Sequence, residues 1–144
     1  MAKVVAINIS QKKGEKKIPV EKAVFIENFG IEGDAHAGDW HRQVSLLAEE
    51  SADKIRAAGM PEIKEGDFAE NITTHGIEVS KLPIGTKLRI GETIQEVTQI
   101  GKECHQHCAI YHQVGDCVMP REGIFTKVLK GGVVAAGDSI EVID

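Results

Sequence analysis

All three cysteines of this 144-residue chain, with three of its six histidines, fall in one stretch, GKECHQHCAIYHQVGDC, from Gly101 to Cys117. A thiolate is a nucleophile, a sulfur carrier and a soft metal ligand, and imidazole is a metal ligand and a proton carrier. Three readings of the cluster stand side by side. In the first, the cysteines are small buried hydrophobes and the histidines are solvated loop residues. In the second, Cys104, His105, His107 and Cys108, with Cys117 in reach, hold zinc or copper(I); the C-x3-C spacing and the absence of a second paired ligand motif weaken this reading. In the third, a cysteine is reactive. Cys104 follows Gly101 and Lys102 at the start of an expected helical turn and has His105 and His107 beside it, which would favour its thiolate. Cys117 lies near Arg121, in a turn made rigid by Pro120 and Gly123, and is the second candidate. Cys108, inside the expected turn, is a partner or core.

The elements that must position the cluster follow from the apolar pattern. Val4 to Ile9, Val20 to Ile26, Val44 to Leu47, Ala69 to Thr73, Lys87 to Ile90, Thr93 to Ile100, Ile124 to Leu129 and Ser139 to Ile143 predict short strands broken by Gly, Pro and Asp. Thr93 to Ile100 delivers the chain directly into the cluster. Asn28 to Gln43, rich in glycine, acids and histidine, reads as an ordered loop. Ala48 to Ala58 predicts the one clear helix: Ala48, Ala52, Ile55 and Ala58 share a face, Glu49 and Glu50 open it, Glu50 pairs with Lys54, and Gly59 and Pro61 end it. This is a mainly β chain, and a small closed barrel is expected because closure removes exposed strand edges.

The length fits a single domain over 1–144, with enough core to fold without staples. A net charge of −5 argues against a nucleic-acid partner. The one dense basic run, Lys12, Lys13, Lys16 and Lys17, reads as a solvated loop tip. No charged leader precedes a long apolar run, and no apolar stretch is long enough to span a bilayer, so a cytoplasmic location is expected and no membrane partner. In a reducing compartment the clustered cysteines are expected to serve chemistry or metal binding rather than cross-linking.

Four stretches carry a resemblance. GIEGDAHAGDWHRQVSLLAEES (30–51), GDFAENITTHGIEVSKLPIGTKLRIG (66–91) and the pair EVTQIGKEC and GIFTKVLKGGVVAAGDSIEVI resemble, in order and spacing, the MOSC domains, named for the C-terminal domain of molybdenum cofactor sulfurases. The likeness is to short stand-alone bacterial members. It implies a β-barrel similar to the pyruvate-kinase barrel domain, a role in molybdenum cofactor or metal-sulfur chemistry, and a sulfur-handling cysteine at the position of Cys104. It also implies cofactor-binding roles for Asp34, His36, Glu70, Asn71, Lys102 and Arg121, and a packing or ring-covering role for Trp40.

The implied partners are a cysteine desulfurase-like sulfur donor and an enzyme that builds or uses molybdenum cofactor. The chain lacks the aminotransferase-like domain of the larger sulfurases, so pyridoxal phosphate would enter only through such a partner. Two other classes remain as alternatives. One is a non-catalytic module that stores or delivers molybdopterin or molybdenum; the other is a Cys/His zinc-binding regulator. Whether the domain is an enzyme or a carrier stays open at this point.

Overall fold

The computed structural model describes residues 2–12, 16–101 and 122–143. The described chain runs β1 (Lys3–Ile9), β2 (Ile18–Val20), β3 (Lys22–Ile26), β4 (Gly30–Ile31), β5 (Val44–Ala48), α1 (Glu49–Ala58), β6 (Ile72–His75), a 3-10 turn (Val79–Lys81), β7 (Lys87–Ile90), β8 (Thr93–Ile100), β9 (Ile124–Lys130), β10 (Gly132–Ala135) and β11 (Ile140–Val142). Eight strands form one sheet in the order β11-β7-β8-β9-β5-β6-β1-β2, and β10-β3-β4 form a second.

The alternation of side chains along a strand explains how the main sheet buries both faces. In β5, Val44 and Leu46 point into the principal core with Ile7, Phe25, Ile31, Ile72, Leu88, Ile90, Val97, Ile124 and Val128. Leu47 points the other way, to a smaller cluster with Ala52 and Ile55 of α1, Met60, Ile63, Phe68 and Phe125. Strand β9 divides its side chains in the same manner. Because β5 and β6 are parallel neighbours, the chain needs a crossover between them, and α1 with the following loop supplies it.

The expected mainly β chain with one clear helix is present, and among the described residues no sheet closes into a barrel. The ladder ends on β11 and β2. A single antiparallel bridge, Lys3 to Ser139, approaches closure. The other half of that edge of β1, Ile7 to Ile9, is already paired with β2, which leaves little of it for β11.

Other boundaries also move. Val20 to Ile26 is two strands, with β2 in the large sheet and β3 in the small one. The strand expected from Ala69 begins at Ile72, because Ala69 has a φ of 63°, outside the extended region. In α1 the expected Glu50–Lys54 pair is absent: Lys54 Nζ reaches the Glu122 carboxylate at 2.9 and 3.0 Å. Glu50 instead accepts from the Gly76 N–H at 2.8 Å and lies 3.3 Å from His75 Nδ1. The buried side of α1 is Ser51, Ala52 and Ile55, while Ala58 is exposed.

Candidate functional site

Two regions singled out by the sequence meet at one end of the β8–β9 pair. The backbone N–H of Gly101, just past β8, donates to the carbonyl of Gly123, just before β9, at 2.6 Å. Whatever lies between them therefore leaves and returns at one place. Lys102, Cys104, His105, His107, Cys108, Cys117 and Arg121 lie outside the described residues. The anchor points of their segment do not.

The glycine-rich loop after β4 is tied to this same strand end. Gln99 Oε1 accepts from Arg42 Nε at 3.0 Å and lies 3.0 Å from His41 Nε2, while Gln99 Nε2 donates to the Gly101 carbonyl at 2.8 Å. The Thr98 hydroxyl donates to the His41 carbonyl. Arg42 also places its guanidinium 5.2 Å from the centre of the Phe125 ring. The C-terminal end of the loop, His41 and Arg42, is thus held against the last residues of β8.

Inside the loop, Asp34 is the hub. Its side chain is fully buried, and so is that of Lys17, whose Nζ lies 2.8 Å from Asp34 Oδ1. Asp34 Oδ1 also accepts from the Ser10 N–H at 3.1 Å, and Oδ2 from the His36 N–H at 3.0 Å. Burial alone would raise the Asp34 pKa, but the Lys17 hydrogen bond and charge, with the two backbone donors, outweigh it and hold the carboxyl below the usual carboxylate range.

The expectation that Lys17 sits in a solvated loop tip is therefore overturned. Lys12 and Lys16 are exposed, but Lys17 is 2% exposed and turned inward. Nothing in a run of lysines distinguishes the one with a buried aspartate waiting for it.

Lys17 also contacts Ser10 Oγ at 3.1 Å and His36 Nδ1 at 3.0 Å. Trp40 spends its indole N–H on the His36 carbonyl at 2.8 Å and meets His41 edge-on at 5.9 Å. This contact gives Trp40 a packing role within the loop.

A second polar group lies deeper. Asn71, fully buried, accepts from the Ser45 N–H at 2.9 Å and donates to the Asn8 carbonyl at 3.1 Å, joining β5 to β1. Glu70, 1% exposed, accepts from the Thr73 hydroxyl at 2.8 Å. Asn8 Nδ2 donates to the Glu70 carbonyl and to Thr73 Oγ1, each at 3.1 Å. Asn8 on β1 and Ser10 just past its end thus connect the Glu70 group to the Lys17 group. Glu70 and Asn71 bind the strands together from within. The sequence reading singled out neither Asn8 nor Ser10, since one Asn and one Ser at a strand end carry no pattern.

Burial pushes the Glu70 carboxyl above its usual range, more than the Thr73 hydroxyl and nearby backbone N–H groups pull it back. With the folded pKa raised above the unfolded one, the folded state holds the extra proton. Stability therefore falls as pH rises from about 4.5 through the raised value. Glu70→Gln, a permanent neutral mimic that can still accept from Thr73, is expected to flatten this part of the profile. Urea midpoints measured between acid and neutral pH check it; parallel profiles for the two proteins would mean that Glu70 does not titrate in this window.

Among the described residues, no group of three His, Cys, Asp or Glu side chains is placed to hold a metal ion, and no helix is long and apolar enough to cross a membrane. The metal ligands expected from the sequence all belong to the undescribed segment.

Residues 32–141, which take in Asp34, His36, Glu70, Asn71 and the cysteine segment, match the MOSC domain model. The chain belongs to the MOSC family. This MOSC chain is similar in fold to the crystal structure of YuaD from Bacillus subtilis, with a TM-score of 0.81 and 20% identity over 96% of this chain and 93% of that one. It is similar also to YiiM from Geobacillus stearothermophilus, with a TM-score of 0.77 and 19% identity over 100% of this chain and 76% of the other. For YiiM from Escherichia coli the TM-score is 0.69 and the identity 20%, over 99% and 70%. No curated protein sequence matches the MOSC chain. At these identities the likeness carries the fold, and the chemistry of the MOSC site has to be argued from its own residues.

Proposed function

We propose that this MOSC domain handles sulfur for molybdenum cofactor or related metal-sulfur assembly, with Cys104 as the carrying thiol. The observation that supports this most is the clamp between Gly101 and Gly123 beside the loop held by Gln99. It brings both ends of the cysteine segment to the strand end that His41 and Arg42 hold. Membership of a family linked to molybdenum cofactor proteins gives the reading its cargo.

The chemistry needs no added oxidant. A donor enzyme presents a persulfide, and the Cys104 thiolate attacks its outer sulfur. A new S–S bond forms at Cys104, the donor's S–S bond breaks, and the donor cysteine leaves as thiolate. The outer sulfur is then available to a metal or a pterin precursor. Lys102 and Arg121 are the cations proposed to favour the thiolate and to meet a phosphate. The pyridoxal phosphate that would generate the first persulfide belongs to the donor, a cysteine desulfurase.

Incubation with a cysteine desulfurase and cysteine is expected to add about 32 Da to the wild-type protein, in a form removed by reduction and absent from Cys104→Ser. Intact mass spectrometry reads this directly. An adduct that persists in Cys104→Ser, or none in wild type, removes Cys104 as the carrier.

A further inference from the structure

A buried ammonium has three protons to place, and Lys17 places all three. Ser10 Oγ lies at 3.1 Å, Asp34 Oδ1 at 2.8 Å and His36 Nδ1 at 3.0 Å. The Ser10 hydroxyl donates its own proton to the Lys12 carbonyl at 3.1 Å, so towards Lys17 it accepts. The Asp34 carboxylate has no proton to give. An uncharged Lys17 would leave that carboxylate in the interior without a counter-ion, so Lys17 is the cation and a donor to every neighbour.

The consequence falls on His36. Lysine ammonium has no lone pair, so the His36 Nδ1 that faces it must accept, and a nitrogen that accepts carries no proton. The rest of the residue is pinned as well: its N–H is held by Asp34 Oδ2 at 3.0 Å and its carbonyl by Trp40 Nε1 at 2.8 Å. The ring cannot turn over without surrendering the Lys17 contact.

We infer that Lys17 is a positioning residue that fixes the neutral His36 ring with its proton on Nε2. A ring in this state is not a base waiting to take a thiol's proton. Its Nε2 already carries one, and its Nδ1 is occupied by Lys17. Lys17 itself is removed from ligand binding, since each of its protons is spent within the protein. The tautomer follows from the described contacts and does not rest on the function proposed above.

Long-range proton–nitrogen NMR correlation on histidine-labelled protein near neutral pH, without any sulfur donor, tests the inference separately from sulfur transfer. His36 is assigned by loss of its signals in His36→Gln. The expected pattern is a bare Nδ1 and a protonated Nε2. A proton on Nδ1, or on both nitrogens, overturns the inference. In Lys17→Met the pattern is expected to shift towards a mixture of tautomers, and a variant that folds yet keeps the wild-type pattern overturns the positioning role. If that variant does not fold, the wild-type spectrum decides alone.

Discussion

Lys17→Met is expected to destabilise the folded protein by about 3–5 kcal/mol, the cost of leaving a buried ion without its partner. The size of the effect follows from the side chains of Lys17 and Asp34 both being fully buried at 2.8 Å, where water cannot take over for a missing charge. The two backbone N–H donors that remain on Asp34 keep the loss from going higher. In the wild type the folded Asp34 pKa is depressed. Its contribution is therefore present above the unfolded value and is lost as pH falls through the folded one. In Lys17→Met, burial is no longer outweighed, the sign reverses, and the variant is expected to recover stability on acidification. Urea unfolding at neutral and mildly acidic pH reads both effects. Adding Asp34→Asn to Lys17→Met should restore part of the loss, since an amide needs no counter-ion. A single-variant loss below about 1 kcal/mol would place this pair with ordinary surface ion pairs instead.

Gly66→Ala is the second large effect. Gly66 has a φ of 89°, and a Cβ there would stand 2.2 Å from the carbonyl oxygen of Lys17 and 2.8 Å from its carbonyl carbon. Both are backbone atoms and neither can swing aside. The closeness has a purpose, because the Gly66 carbonyl accepts from the N–H groups of both Lys17 and Ala69, each at 2.9 Å. It thereby fastens the segment leading to Glu70 against the one carrying Lys17. The expected cost is about 2–5 kcal/mol, combining overpacking with backbone strain. Gly33 is an internal control. Its φ is 86°, but nothing lies within 4 Å of its Cβ position. Gly33→Ala should therefore cost only the conformational strain, about 1–2 kcal/mol. Thermal melts of the two variants compare clash with strain directly, and equal losses would mean that contact with Lys17 adds nothing.

Much of the framework was legible because its signals are local. β7 and β8 fall at the residues where alternation and flanking glycines place them, and α1 follows its acidic start and glycine stop. The strands that escaped are those with too little sequence to signal. β4 is Gly30–Ile31, and β10 begins with a glycine and is a strand because it pairs with β3. Closure of the sheet is a property of how edges meet and is written in no single segment.

The site divides in the same way. The loop of Asp34 and His36 stood out by composition and the two residues by the family resemblance, and they sit at a fixed, partly buried centre. Lys17 was hidden by its neighbours, since three like residues around it suggest solvent and only the fold supplies its aspartate. Glu70 and Asn71 drew notice in the right neighbourhood, but their contacts face inward, joining β1, β5 and β6.

The bond between Gly101 and Gly123 also makes the cysteine segment separable from the frame that bears it. Because its two ends are already together, a change in the length of the intervening chain alters loop entropy only slowly and leaves the register of β8 on β9 alone. The frame can thus accept a graft: one reactive segment exchanged for another, with the buried lysine and aspartate and their histidine staying where they are. New chemistry in this architecture can arise by insertion and deletion at a single doorway, without the core having to be rebuilt.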